Sequence, residues 1–119
     1  PYTTLFRSVF SKGDYKRTKE DKENTITRDQ FLEWTKSIWK MNAESAKRVG
    51  HPAPFPIDLP YKLYSFKNDV ILDPFAGSGT TALAAIKAGR KFIGYDTKQE
   101  YCDTSEKRVK ELIGQTTVF

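Results

Sequence analysis

An α/β fold built on a parallel sheet is what this 119-residue sequence predicts, and three observations predict it. "VILD" at 70–73 is a short, continuously apolar run with β-branched residues, the pattern of a parallel strand buried on both faces. "TALAAIKAG" has helical composition and ends on Gly89, a residue suited to a left-handed helix cap, so a helix starting near Gly79 or Thr80 follows the strand. "KFIGYD" and then "KQEYCDTSEKRVKELIG" repeat the pair, with Tyr101, Ser105, Val109 and Leu112 at the spacing of one inward helix face. Strand, helix, strand, helix is the opening of a Rossmann-like sheet. The chain holds only part of such a sheet, so its edges would be open, and association with itself or with a second chain is expected.

The elements before this unit follow in order. "TTLFRSVFSKGD" reads as a strand closed by Gly13 and Asp14. "YKRTKEDKENT" has dense charge and no apolar anchor, so a solvated loop is expected there, either a plain wet surface or a segment that meets phosphates. Thr27 with Gln30 three residues on forms a capping box, which starts a helix expected from Arg28 to Met41. Its inward stripe would be Phe31, Trp34, Thr35, Ile38 and Met41. Trp34 and Trp39 could stack on nucleic-acid bases, but aromatic residues at helical spacing more often build core. Four of the six prolines fall within "GHPAPFPIDLP" at 50–60, which predicts a stiff extended connector that is neither helix nor central strand. A short helix through "YKLYSF" and a turn at Asn68 and Asp69 then lead into "VILD".

Composition bounds the function. A hydrophobic content of 38% over this length suits one small unit, and two full domains would not fit. One cysteine, Cys102, excludes an internal disulfide framework and points to a reducing, cytoplasmic setting. No apolar run approaches a membrane span, and the first residues lack the pattern of a secretory signal. The net charge of +5 is compatible with a polyanionic partner, and residues 1–50 hold 11 Lys or Arg against 7 Asp or Glu, so most of the excess lies there.

The chemistry concentrates in "DPFAGSGTTALAAIKAGRKFIGYD". Gly77, Gly79 and Ala82 fit the glycine pattern of a nucleotide-binding strand-to-helix turn, with Asp96 one βαβ unit later, where a ribose hydroxyl would need an acceptor. Alone, this fits a nicotinamide dinucleotide, and a ligand-free tight turn would also need the glycines. Asp73-Pro74-Phe75-Ala76, however, stands between the strand and the first glycine. A carboxylate at that strand end repels a diphosphate and attracts the ammonium and sulfonium charges of S-adenosylmethionine. Glycines let the backbone approach the ligand, Ser78 and Thr80 offer hydroxyls around its amino-acid end, and Phe75 could cover an apolar edge.

Three motifs in order, "HPAPFP", "DPFAGSGTT" and "GYD", resemble the late motifs of DNA methyltransferases that modify an exocyclic amine, cytosine N4 or adenine N6. Their order resembles the second half of the permuted β class, in which the catalytic part comes first and target recognition precedes the cofactor loop. The resemblance runs from about Leu5 to Ile113. It implies the S-adenosylmethionine-dependent methyltransferase fold, incomplete in this chain, with residues 1–50 as a candidate target-recognition region and 51–119 as the proline-rich connector and cofactor-binding βαβα unit. It further implies that His51, Pro52, Phe55 and Pro56 lie against the cofactor. Asp73, Pro74, Phe75, Ala76, Gly77, Ser78, Gly79 and Thr80 would form its loop, and Tyr95 and Asp96 would meet its ribose and adenine. Double-stranded DNA is the implied partner, with Lys12, Lys16, Arg17, Lys19 and Lys22 as candidate phosphate contacts. A role in restriction and modification is implied as well.

The departure from that family is its catalytic signature, [DNS]-P-P-[YFW], of which this sequence has no copy. Amine methylation uses that element to accept the amine hydrogens and to stack on a flipped base. No catalytic residue and no metal ligand is therefore assigned to this chain. Two readings stay open. In one the chain is the cofactor-binding and target-recognising part of a methyltransferase whose other part supplies the tetrapeptide. In the other it is a non-catalytic module that binds nucleic acid or S-adenosylmethionine.

Overall fold

The fold was read from a computed structural model, which describes residues 23–50, 54–63 and 67–116. The expected strand before Asp14 and the lysines and arginine from Lys12 to Lys22 lie outside these residues, as do His51 and Pro52. Helices α1 (Arg28–Trp34), α2 (Ala46–Val49) and α3 (Asp58–Tyr61) precede strand β1 (Val70–Asp73), helix α4 (Thr80–Lys87), strand β2 (Lys91–Gly94) and helix α5 (Gln99–Thr116).

The carboxyl-terminal βαβα unit forms as the sequence indicates. β1 and β2 pair in parallel with Val70 opposite Lys91, Ile71 opposite Phe92, Leu72 opposite Ile93 and Asp73 opposite Gly94. The chain enters β1 through Asn68, whose φ of 61° places it in the left-handed region that asparagine tolerates better than other side chains. Helix α4 is the centre of the packing. Ala82, Leu83, Ala84 and Ala85 are buried along it, and its small side chains let α3, β2 and α5 all approach it closely. Gly89, at φ 68°, ends it as expected.

One expectation for β1 fails. Its residues are not buried on both faces: Val70 and Leu72 are 56% and 62% exposed, while Ile71 on the opposite face is half-buried. Ile93, paired with Leu72, shares the open face. The reason is topological: a parallel strand becomes apolar on both sides when helices cover both sides, and the elements described here cover one.

The region before β1 departs further from expectation. The Thr27–Gln30 capping box forms, with Gln30 N–H donating to Thr27 Oγ1 at 3.2 Å and Thr27 N–H to Gln30 Oε1 at 2.9 Å. The helix nonetheless stops at Trp34 rather than reaching Met41. Thr35 donates its hydroxyl to the Phe31 carbonyl at 2.8 Å, a local bond that competes with helix propagation. Much of the stripe also stands in solvent: Phe31 is 53% and Ile38 79% exposed. Among the described residues, Trp34 alone makes a ring contact from that stripe, edge-on to Tyr61 with centroids 5.9 Å apart. The short helix α2, capped by Ser45 and closed by Gly50, was not anticipated. Pro60 was expected to exclude helix, yet it sits third in α3, within the first turn, where no N–H has an intrahelical acceptor to lose. The helix expected over 61–66 therefore lies earlier, and residues 64–66 are outside the described set.

Candidate functional site at the carboxyl ends of the strands

Open α/β sheets present their ligand sites beyond the carboxyl ends of their strands, and Asp73 to Thr80 with Tyr95 and Asp96 lie there. Asp73 ends β1. One of its carboxylate oxygens accepts the Phe75 N–H at 3.0 Å, which turns Pro74 and Phe75 away from the strand. Ala76 N–H then donates to the Tyr95 carbonyl at 2.8 Å, tying the loop to the residue after β2. Gly77, at φ 51°, donates its N–H to Asp96 Oδ2 at 2.9 Å. The loop closes through Gly79 N–H to the Ala76 carbonyl at 2.9 Å, and α4 begins.

Asp96 thus has a structural duty that its position in the sequence did not disclose. One carboxylate oxygen holds the glycine loop; the other accepts the Lys98 N–H at 2.9 Å and shapes the approach to α5.

The glycines are needed for two separate reasons. Gly79 adopts φ 79°, a region that side chains rarely enter. A Cβ there would also fall 2.1 Å from Ser105 Oγ and 3.0 Å from Ser105 Cα, so α5 passes directly against the loop's end. Gly94 is closed by different neighbours: a Cβ would meet the Phe92 ring at 2.6 Å and the Ala76 methyl at 3.1 Å.

Ser78 and Thr80 are buried, whereas Phe75 is 86% exposed and Tyr95 also stands largely in solvent. The rim therefore combines two carboxylates, a buried polar loop and two uncovered aromatic rings. Phe55 and Pro56 are half-buried in the segment that leads into α3. Two shallow clefts, of about 200 and 210 Å³, lie elsewhere, and neither is lined by residues 73–80, Tyr95 or Asp96. The rim is an open surface, one wall of a site.

Sequence reasoning missed Arg108. From α5 its guanidinium donates to the Ser78 carbonyl at 2.6 Å and to Ser78 Oγ at 3.2 Å. Burial pushes its pKa down, opposed by the nearby carboxylate of Glu44, and it remains a cation because an arginine has so much margin. The available signal was spacing: Arg108 follows Ser105 by three residues, one helical step along the face already assigned inward.

Residues 6–107 match the family model described as DNA methylase, with N6 and N4 specificities in its name. Among curated proteins, the chain is 31% identical over 120 residues to the type II methyltransferase M.MthZI of Methanothermobacter thermautotrophicus, covering 88% of this chain and 34% of that protein. It is 37% identical over 91 residues to the type II methyltransferase M.BglI of Bacillus subtilis, covering 73% and 26% respectively. The chain spans about a third or less of the length of these relatives. Among solved structures it is similar to a protein of Thermus thermophilus, provisionally assigned as a DNA modification methylase and crystallised with S-adenosyl-L-methionine. The TM-score is 0.67 at 29% identity, over 85% of this chain and 41% of that one. A complex of M1.HpyAVI with the same compound aligns at TM-score 0.53 and 32% identity, over 63% of this chain and 42% of the other.

Proposed function

The chain belongs to the N6/N4 amino-methyltransferase family of DNA methylases, and from that premise we propose that it forms the cofactor-binding portion of an enzyme that methylates an exocyclic amine of DNA, cytosine N4 or adenine N6. The observation that carries this reading is the pair of carboxylates, Asp73 and Asp96, on either side of one glycine loop at the strand ends. Structural relatives crystallised with S-adenosyl-L-methionine support the choice of cofactor.

The residues present fit that ligand. Only one oxygen of Asp73 is engaged by the loop, which leaves the other to face an ammonium or sulfonium charge. Two backbone N–H groups fix the Asp96 carboxylate beside the loop, the position from which it would meet ribose hydroxyls. The exposed Phe75 and Tyr95 rings offer apolar cover for adenine. His51, Pro52, Phe55 and Pro56 would lie against the cofactor, as the family's proline-rich segment does. When bound, S-adenosylmethionine supplies an electrophilic methyl group to the amine nitrogen, and S-adenosylhomocysteine and a proton leave. This chain's residues contribute binding and orientation, which place the donor within attack distance of a flipped base.

The [DNS]PP[YFW] element would come from the remainder of the enzyme, on another segment or another polypeptide. The second reading is a binding module without transfer. Phosphate contacts by Lys12, Lys16, Arg17, Lys19 and Lys22 would add salt-dependent DNA affinity under either reading. The test is a methylation assay on duplex DNA, with the chain alone and with a polypeptide carrying [DNS]PP[YFW]. Transfer that needs the second polypeptide supports the enzyme. No transfer in any pairing leaves the module, and titration with NAD+ beside S-adenosylmethionine decides the ligand independently.

A further inference from the structure

The glycine loop is held both by its own bonds and by side chains that reach it from later in the chain. It carries two residues at positive φ, and the side chains at its start, Pro74 and Phe75, are exposed. Besides its bonds to Asp73, Tyr95 and Ala76, three side chains from after β2 bear on it. Asp96 takes the Gly77 N–H, Ser105 abuts Gly79, and Arg108 grips Ser78 through both its carbonyl and its hydroxyl. Of these three, Arg108 is the one cation, partly withdrawn from water for a contact with neutral groups.

We propose that Arg108 is a positioning residue of the cofactor site. It acts through Ser78, presenting the loop's backbone and the Ser78 hydroxyl to the amino-acid end of S-adenosylmethionine. The hydroxyl geometry supports this. Because Oγ accepts from the guanidinium, its own hydrogen is directed away from Arg108, which makes Ser78 an oriented donor. Such a donor suits a carboxylate, the anionic group at that end of the ligand. The charges that face Arg108 come from three elements: Glu44 ahead of α2, Arg48 within α2, and Glu111 one turn further along α5. Glu44 is itself hydrogen-bonded to Arg48, so it balances two cations at once. Arg108 is thus held as a cation for its structural role and does not serve in proton transfer.

This assignment rests on the cofactor reading above, and one of its two readouts is independent of it. In the free chain, Arg108→Ala should speed hydrogen exchange at the Gly77 and Gly79 amides by about tenfold, while Leu83 to Lys87 in α4 keep their protection; hydrogen bonds from a charged donor have that order of strength. Calorimetric titration should show S-adenosylmethionine bound about tenfold more weakly by Arg108→Ala, with 5′-methylthioadenosine, which lacks the amino-acid moiety, changed less than about twofold, and Arg108→Lys recovering most of the loss. Unchanged loop exchange overturns the proposal, and so does an equal loss for both ligands, which would mark Arg108 as a general stabiliser. A wild-type chain that binds neither ligand would sink the cofactor reading, and the exchange measurement would still decide whether Arg108 positions the loop.

Discussion

Residues 69–116 and residues 23–63 use similar ingredients and end in different states. Both contain a helix with an apolar stripe, and only α1 also has a side-chain cap at its amino terminus. In α4 the stripe is alanine-rich and meets three neighbours, so Ala84 and Ala85 are sealed completely. The stripe expected for α1 carries larger residues, yet Phe31 and, beyond the helix's end, Ile38 face solvent, and the helix stops after seven residues. Stripe hydrophobicity does not decide burial; the presence of an opposing surface does. The carboxyl-terminal unit brings its own opposing surfaces, since β2 and α5 follow α4 within the same stretch of chain.

That contrast is open to attack, first at Gly79. Replacing it by valine forces a branched side chain into positive φ and against Ser105, which should cost about 3 kcal/mol or more in urea unfolding. Adding Ser105→Gly should recover part of the loss, because it removes the atoms nearest the new Cβ. If Gly79→Val unfolds no more easily than wild type, the close approach of α5 is wrong. A smaller loss, about 1–3 kcal/mol, is expected from Asp96→Asn, whose amide nitrogen cannot accept from Gly77 or Lys98. Circular dichroism would report the stability, and S-adenosylmethionine titration should weaken in parallel.

In the amino-terminal region the expected effects shrink. The Arg48 hydrogen bond holds the Glu44 carboxyl below its ordinary value of 4.5. A depressed folded-state pKa gives stability that is fully present above the unfolded value and fades as pH falls through the folded one. Unfolding followed from pH 7 to pH 3 should therefore show a gentler acid limb in Glu44→Gln, by no more than about 1 kcal/mol since Arg48 is largely in solvent. Smallest of all is Ile38→Ser, expected to stay within about 0.5 kcal/mol of wild type. A large loss there would show that the stripe has a partner surface.

How far the sequence is legible follows the same division. "VILD", "TALAAIKAG", "KFIGYD" and the Tyr101 to Leu112 face all formed elements in the expected order, because each is reinforced by a neighbour close in sequence. The capping box was legible too, being a purely local pair of bonds. The length of α1 was not, because it depends on what packs against the stripe, and among the described residues Phe31 and Ile38 are left in solvent, a tertiary fact. Pro60 misled because a proline's effect depends on its place in the turn, which sequence does not mark. At the candidate site, Asp73, Gly77, Gly79 and Asp96 were found by their spacing. Arg108 was harder to see: its place on the inward face separates it from the neighbouring lysines, but its partner, Ser78, lies 30 residues away.

Because Val70, Leu72 and Ile93 already stand in water when the chain is folded, melting it uncovers less fresh hydrocarbon than its composition suggests. The heat-capacity increment and the slope of unfolding free energy against urea should both be shallow for 119 residues. The sheet's bare side is thus a bulk thermodynamic property, measurable in a calorimeter without reference to any ligand.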